Sequence, residues 1–210
     1  ATNNTAESGL KGLAKTLERR TSLDHVAVTA VDASDDNLAF FPLIYWPLVA
    51  GVAPLTPQES AHVNDYLHHG GMILFDAMND SDPSPALLKQ NLRGVDLPSL
   101  VRTPENHVLK RSFYLLNEFP GRYAGHEFWL EPEDASSYDG VATVLYGSHD
   151  WAAAWATDAQ GHPQFPCMPN GEIQRERAFR FGVNLVMYAL TGNYKSDQMH
   201  VKALLDRSGK

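Results

Sequence analysis

Cysteine is nearly missing from this chain. The only one, Cys167, rules out an intrachain disulfide and leaves the redox compartment open. It lies between Pro166 and Pro169, where proline favours an extended, irregular backbone. A catalytic thiol needs a strained strand-to-helix elbow, so Cys167 reads as an inert, partly buried thiol. Long apolar runs are lacking as well. The longest, residues 38–53, is broken by Pro42 and Pro47 and falls short of the roughly 20 residues of a membrane span. No signal-peptide pattern precedes the first helix, although a longer parent could carry one. Positive charge is scarce: 17 Lys and Arg against 25 Asp and Glu leave a net charge of -8. That balance excludes nucleic acid as a main partner, because phosphate binding needs clustered cations. Histidines with zinc-ligand spacing are also missing. His68 and His69 are adjacent and point apart, so neither a metal nor another cofactor is expected.

What is present describes a folded α/β unit. At 210 residues with 43% apolar content, the chain can bury a proper core as one domain over residues 1–210. Leu10, Leu13 and Leu17 recur at helical spacing within residues 5–20. Residues 25–31 alternate with β-branched side chains and predict a strand, and residues 32–37 carry turn chemistry. Residues 38–46 are apolar nearly throughout, as in a strand covered on both faces. Thr56, Pro57 and Glu59 form a helix start with a capping box, and that helix ends at Gly70. Residues 72–75 predict the next strand and residues 86–92 a helix. Later strands are expected at 112–116, 127–130 and 141–146, with a short helix through Trp155 capped by Asp150. A long helix over 172–190 is expected to stop at Gly192, and a last one spans 198–207. Strand–helix alternation implies a mostly parallel sheet with right-handed crossovers.

The sharpest local pattern is the helix that runs into Gly70-Gly71, then a short apolar strand ending on Asp76. The carboxyl end of a parallel strand is where α/β proteins open a crevice. No Ser or Cys nucleophile stands beside Asp76. It can act as a general base, a metal ligand or an acceptor for a bound hydroxyl; alternatively it accepts backbone N–H groups from the next turn.

Residues 38–46, Gly70-Gly71 with Asp76, Phe119-Pro120-Gly121-Arg122-Tyr123, residues 152–156 and residues 182–192 resemble the bacterial family called domain of unknown function 4159. The resemblance implies a class I glutamine amidotransferase-like fold, a flavodoxin-like three-layer sandwich. It also implies a C-terminal position in larger, inner-membrane-anchored proteins, with the soluble domain on the periplasmic side. MoxR-type ATPases and von Willebrand A domain proteins are the partners it implies. In such relatives a strand precedes the residues matching Ala1 onward, so the chain is expected to be a fragment of a longer protein lacking its first strand. Residues 38–46 would then have an exposed or externally covered edge. An amidotransferase holds a thiolate where this chain has Asp76-Ala77, and a carboxylate cannot replace it.

Around Asp76 the sequence offers further ligand-binding candidates. Arg122 supplies a planar fork for carboxylate or phosphate, or it pins its loop to a carboxylate. Tyr123 adds a polar aromatic surface or packs beneath that loop. His126 is a possible acid/base partner or a plain loop histidine. His149 and Asp150 end another strand at a helix start, and Tyr45 sits where its strand meets Pro47. Arg180, near an apolar stretch, requires a carboxylate partner. Two functions follow. One is a non-catalytic binding or interaction module of a membrane-anchored assembly. The other is a hydrolase or carbohydrate-recognising domain using Asp76 with a nearby His and Arg.

Overall fold

The computed structural model describes residues 2–34, 38–49, 51–79, 81, 83–132 and 140–208, with residues 192–208 described by backbone only. Helix α1 (Thr2–Arg20) opens the chain. Strand β1 (Leu43–Pro47) follows a 3₁₀ turn at Leu38–Phe40, then α2 (Pro57–His68), β2 (Met72–Asp76) and α3 (Pro85–Asn91). The short strands β3 (Val101–Arg102) and β4 (Trp129–Leu130) precede β5 (Val144–Gly147), α4 (Trp151–Trp155) and α5 (Gly171–Ser208).

The five strands form one sheet in the order β1-β2-β5-β4-β3. β1, β2 and β5 run parallel, while β4 is antiparallel to both its neighbours. The expected mostly parallel sheet is therefore mixed, with β4 reversed. Apolar residues split by the period of two. Met72 and Leu74 join the layer of α1, α4 and α5, whereas Ile73 and Phe75 join that of α2 and α3. Helices on both faces of a central sheet make an α/β, three-layer arrangement.

Several local expectations are corrected by packing. Residues 25–31 form no ladder; the main chain there finds no neighbouring strand, and period-two patterning alone does not supply one. Residues 112–116 are a loop, because fully buried Asn184 takes the Tyr114 N–H and donates to the carbonyls of Leu109 and Tyr114. Pro42 confines the apolar run 38–46 to a 3₁₀ turn and the five-residue β1. Gly192 does not end α5, which is one continuous helix in place of the two expected. A helical glycine costs only about 1 kcal/mol, less than breaking the ladder. The turn at 32–37 lies partly outside the described residues. The capping box at Thr56 and Glu59 forms as its sequence requires.

α1 lies directly against α4. A Cβ at Gly9 would stand 2.1 Å from the Ala152 carbonyl oxygen, and one at Gly12 would stand 2.1 Å from that of Trp155. Only glycine permits this approach. It seals α4, whose five residues are all buried, between α1 and the sheet.

Candidate functional site

The carboxyl ends of β2 and β5 carry the chemistry-bearing residues. Asp76 is fully buried, and both carboxylate oxygens are occupied. Oδ1 accepts from the N–H groups of Met78 (3.0 Å), His149 (3.2 Å) and Asp150 (3.2 Å). Oδ2 accepts from the Tyr45 hydroxyl (2.7 Å) and the Trp151 N–H (2.8 Å). The Tyr45 oxygen in turn accepts the Ala152 N–H at 3.4 Å. α4 is Trp-Ala-Ala-Ala-Trp and supplies no capping group of its own. Its orphan N–H groups are buried and require acceptors. Asp76, remote in sequence, provides them.

This corrects the expected role of Asp150. It occupies the cap position in the left-handed conformation (φ 50°, ψ 54°) and makes no side-chain capping bond. Its carboxylate turns instead to Arg122, whose Nη1 lies 3.2 Å from Oδ2. The Arg122 guanidinium stacks on the rings of Tyr123 (5.3 Å) and Phe165 (5.5 Å).

Burial sets the electrostatics. It pushes the Asp76 carboxyl up to about 6; the Tyr45 hydroxyl and the Met78 and Trp151 N–H groups oppose this, and the Asp150 charge adds to it. Asp150 is raised by burial and held back by Arg122. The Tyr45 phenol is raised, first by burial and then by the adjacent Asp76 charge. Burial also raises the Cys167 thiol, against the pull of Arg175. Cys167 is thus a buried thiol disfavoured as a thiolate.

The loop carrying Arg122 and Tyr123 is fastened from two sides. The Tyr123 N–H donates to the His149 carbonyl at 3.0 Å. A Cβ at Gly121 would sit 2.3 Å from that same oxygen, so the contact requires glycine. From α5, buried Gln174 donates through Nε2 to the carbonyls of Gly121, Arg122 and Met168. His149 is buried, stacks on Trp151 at 4.5 Å and meets His126 edge-on at 5.7 Å.

The structure therefore brings together Tyr45, Asp76, Arg122, Tyr123, His126, His149 and Asp150. It does not bring Arg180, which pairs with Glu176 on the surface (2.9 Å) and stacks over Tyr114. Ser148, which the sequence sets beside His149 and Asp150 as a pocket-lining candidate, donates its buried hydroxyl to the Asn79 carbonyl, whereas sequence reasoning missed Gln174. It also missed the role of Arg175, which binds the carbonyls of Ala154 and Phe165. Nothing local marks them; each satisfies main-chain groups distant in sequence. Among the described residues no group of three or more His, Cys, Asp or Glu could hold a metal ion, and no helix is long and apolar enough to cross a membrane.

The fold and its filled strand-end crown define a three-layer α/β protein whose strand-end carboxylate caps a buried helix. Within that class, residues 1–190 match the family model described as Domain of unknown function (DUF4159), and the chain belongs to that family. No curated protein matches it.

Proposed function

We propose that this domain is a non-catalytic binding or interaction module on an amidotransferase-like, flavodoxin-like fold that lacks the nucleophile. The observation that carries the reading is the state of Asp76. It occupies the place of a nucleophile, yet five donors from its own chain saturate it. A general base must reach its substrate's proton, and this carboxylate is wholly buried. Cys167, buried and raised, offers no substitute nucleophile. The family context extends the proposal to a bacterial, inner-membrane-anchored parent with the domain in the periplasm. MoxR-type ATPases or von Willebrand A domain proteins are its proposed partners.

A screen with ester, amide, glycoside and phosphate substrates tests the reading, and no turnover is expected. Turnover abolished in Asp76→Asn and kept in Cys167→Ala would instead establish the hydrolase alternative.

A further inference from the structure

Residues 110–116 form a loop closed at its neck, where the Leu116 N–H donates to the Lys110 carbonyl at 2.8 Å. Its middle is held from beneath by α5. Buried Asn184 accepts the Tyr114 N–H (2.7 Å) and donates to the carbonyls of Leu109 (2.8 Å) and Tyr114 (2.9 Å). The Ser112 hydroxyl donates to the Val108 carbonyl at 3.0 Å. Exposure alternates along the loop. Ser112, Tyr114 and Leu116 are half-buried, whereas Arg111, Phe113 and Leu115 face solvent. Leu115 is 86% exposed and Phe113 44%, and Val108, tied to Ser112, is also exposed. Folding Leu115 inward would strip Asn184 of buried partners, so the loop displays these apolar side chains. Short closed loops held in this way are frequently functional.

Cations gather around the same loop, in a chain whose net charge is -8. Lys110 and Arg111 open it, and no carboxylate of the described residues pairs with either. On its other flank the Tyr114 ring meets Phe113 edge-on at 4.9 Å and lies under the Arg180 guanidinium at 5.3 Å. Arg180 (2.9 Å) and Arg20 (2.8 Å) share the carboxylate of Glu176. Glu118 is taken by Arg177 at 2.7 Å. Glu118 and Glu176 are thus matched by three arginines, and Lys110 and Arg111 leave the loop positive. Exposed aromatic and apolar side chains beside arginine have the composition of a protein interface. Cations around them select an acidic partner.

We propose that the loop 110–116 is a docking surface for one short acidic segment of a partner protein, apolar at its centre and flanked by Asp or Glu. This rests on the interaction-module reading and names its surface. Phe113 and Leu115 bury the apolar centre of the segment, and Lys110, Arg111 and Arg180 meet the flanking carboxylates. A second copy of this chain is a poorer occupant. Twofold pairing of the loop with itself would set Lys110 and Arg111 against the like charges of the other copy.

The test uses the full chain and a labelled peptide of about nine residues, with leucine and phenylalanine at its centre and glutamate at both ends. Binding followed by fluorescence anisotropy is expected to weaken with salt. Leu115→Ser is expected to weaken it at least about tenfold, and Arg111→Glu at least about threefold. Both positions are exposed, so urea unfolding of the two variants is expected to match wild type. A peptide with lysine in place of the glutamates is expected to prefer Arg111→Glu over wild type, which a folding defect would not produce. No binding of the glutamate peptide overturns the proposal, as does equal binding by Leu115→Ser or equal binding of the lysine peptide to wild type. So does a wild-type dimer in sedimentation that Leu115→Ser converts to monomer, because a second copy is then the occupant. Failure here with no turnover in the substrate screen removes this surface and leaves the module reading standing; turnover removes that reading.

Discussion

The crown at the ends of β2 and β5 and the flank formed by residues 24–33 use their polar groups in opposite ways. At the crown every acceptor of Asp76 is taken, and the N–H groups from His149 to Ala152 all find partners within the chain. At the flank the main chain of residues 24–33 finds no other main chain among the described residues. The residues that look most like catalytic groups thus serve the main chain at the start of α4, whereas the segment 24–33 is held by side chains, Glu18 on the Val26 N–H and His62 against the Ala33 carbonyl. A candidate carboxylate is therefore judged by the donors it already serves, since a saturated one holds structure together.

The largest effect that can break this comparison is Asp76→Ala. It leaves several buried donors without an acceptor, and a loss of about 3–5 kcal/mol is expected in urea unfolding. A loss below about 1 kcal/mol would show that water or another group replaces the carboxylate.

Next is the pH dependence. The folded-state carboxyl of Asp76 is raised from 3.8 to about 6, so the folded protein holds this proton more tightly than the unfolded chain. Its contribution is complete below about pH 4 and is lost as pH rises through 6. The loss amounts to roughly 3 kcal/mol for a shift of about two units. Asp76→Asn is expected to flatten the stability difference between pH 4 and pH 7 by that amount; identical pH profiles for the two proteins would refute it.

Tyr45→Phe sharpens the account of the crown. Loss of the hydroxyl is expected to cost about 1–1.5 kcal/mol. The Tyr45 hydroxyl holds the Asp76 carboxyl down, so the midpoint of the pH dependence moves above 6. A midpoint moving downward would contradict the assigned hydrogen bond.

Smaller again is Arg122→Ala. The Arg122 side chain is 26% exposed and that of Asp150 10%, so partial solvent screening limits the expected cost to about 1–2 kcal/mol. A substitution on the exposed part of the flank, Thr29→Lys, comes last. Its stability is expected to stay within about 0.5 kcal/mol of wild type. A large loss of stability there would mean the flank is held as tightly as the crown.

Much of the scaffold was legible before the structure. Helical spacing of Leu10, Leu13 and Leu17 marked α1, the Thr56 capping box marked α2, and the apolar run ending at Asp76 marked β2. Patterns decided within one element survive, because their energetics are local. Asp150 shows where such reasoning fails. An Asp ahead of a short helix reads as its cap, yet a carboxylate 75 residues away from Trp151 takes that role. Residues 25–31 fail in the same way. Alternation prepares a strand, but only an adjacent main chain makes one.

By itself, then, the amino-acid sequence determined the α/β class, the acidic character, the single unpaired cysteine and a carboxylate, Asp76, at the end of an apolar strand. Tertiary structure alone decided that Asp76 is filled by the start of α4, that Arg122 belongs to Asp150 and Arg180 to Glu176, and that β1 ends the described sheet. The physical reason is the range of the forces involved. Propensity, capping and periodicity act within a few residues of the chain. Desolvation and the pairing of buried polar groups depend on neighbours that only the packed layers bring together.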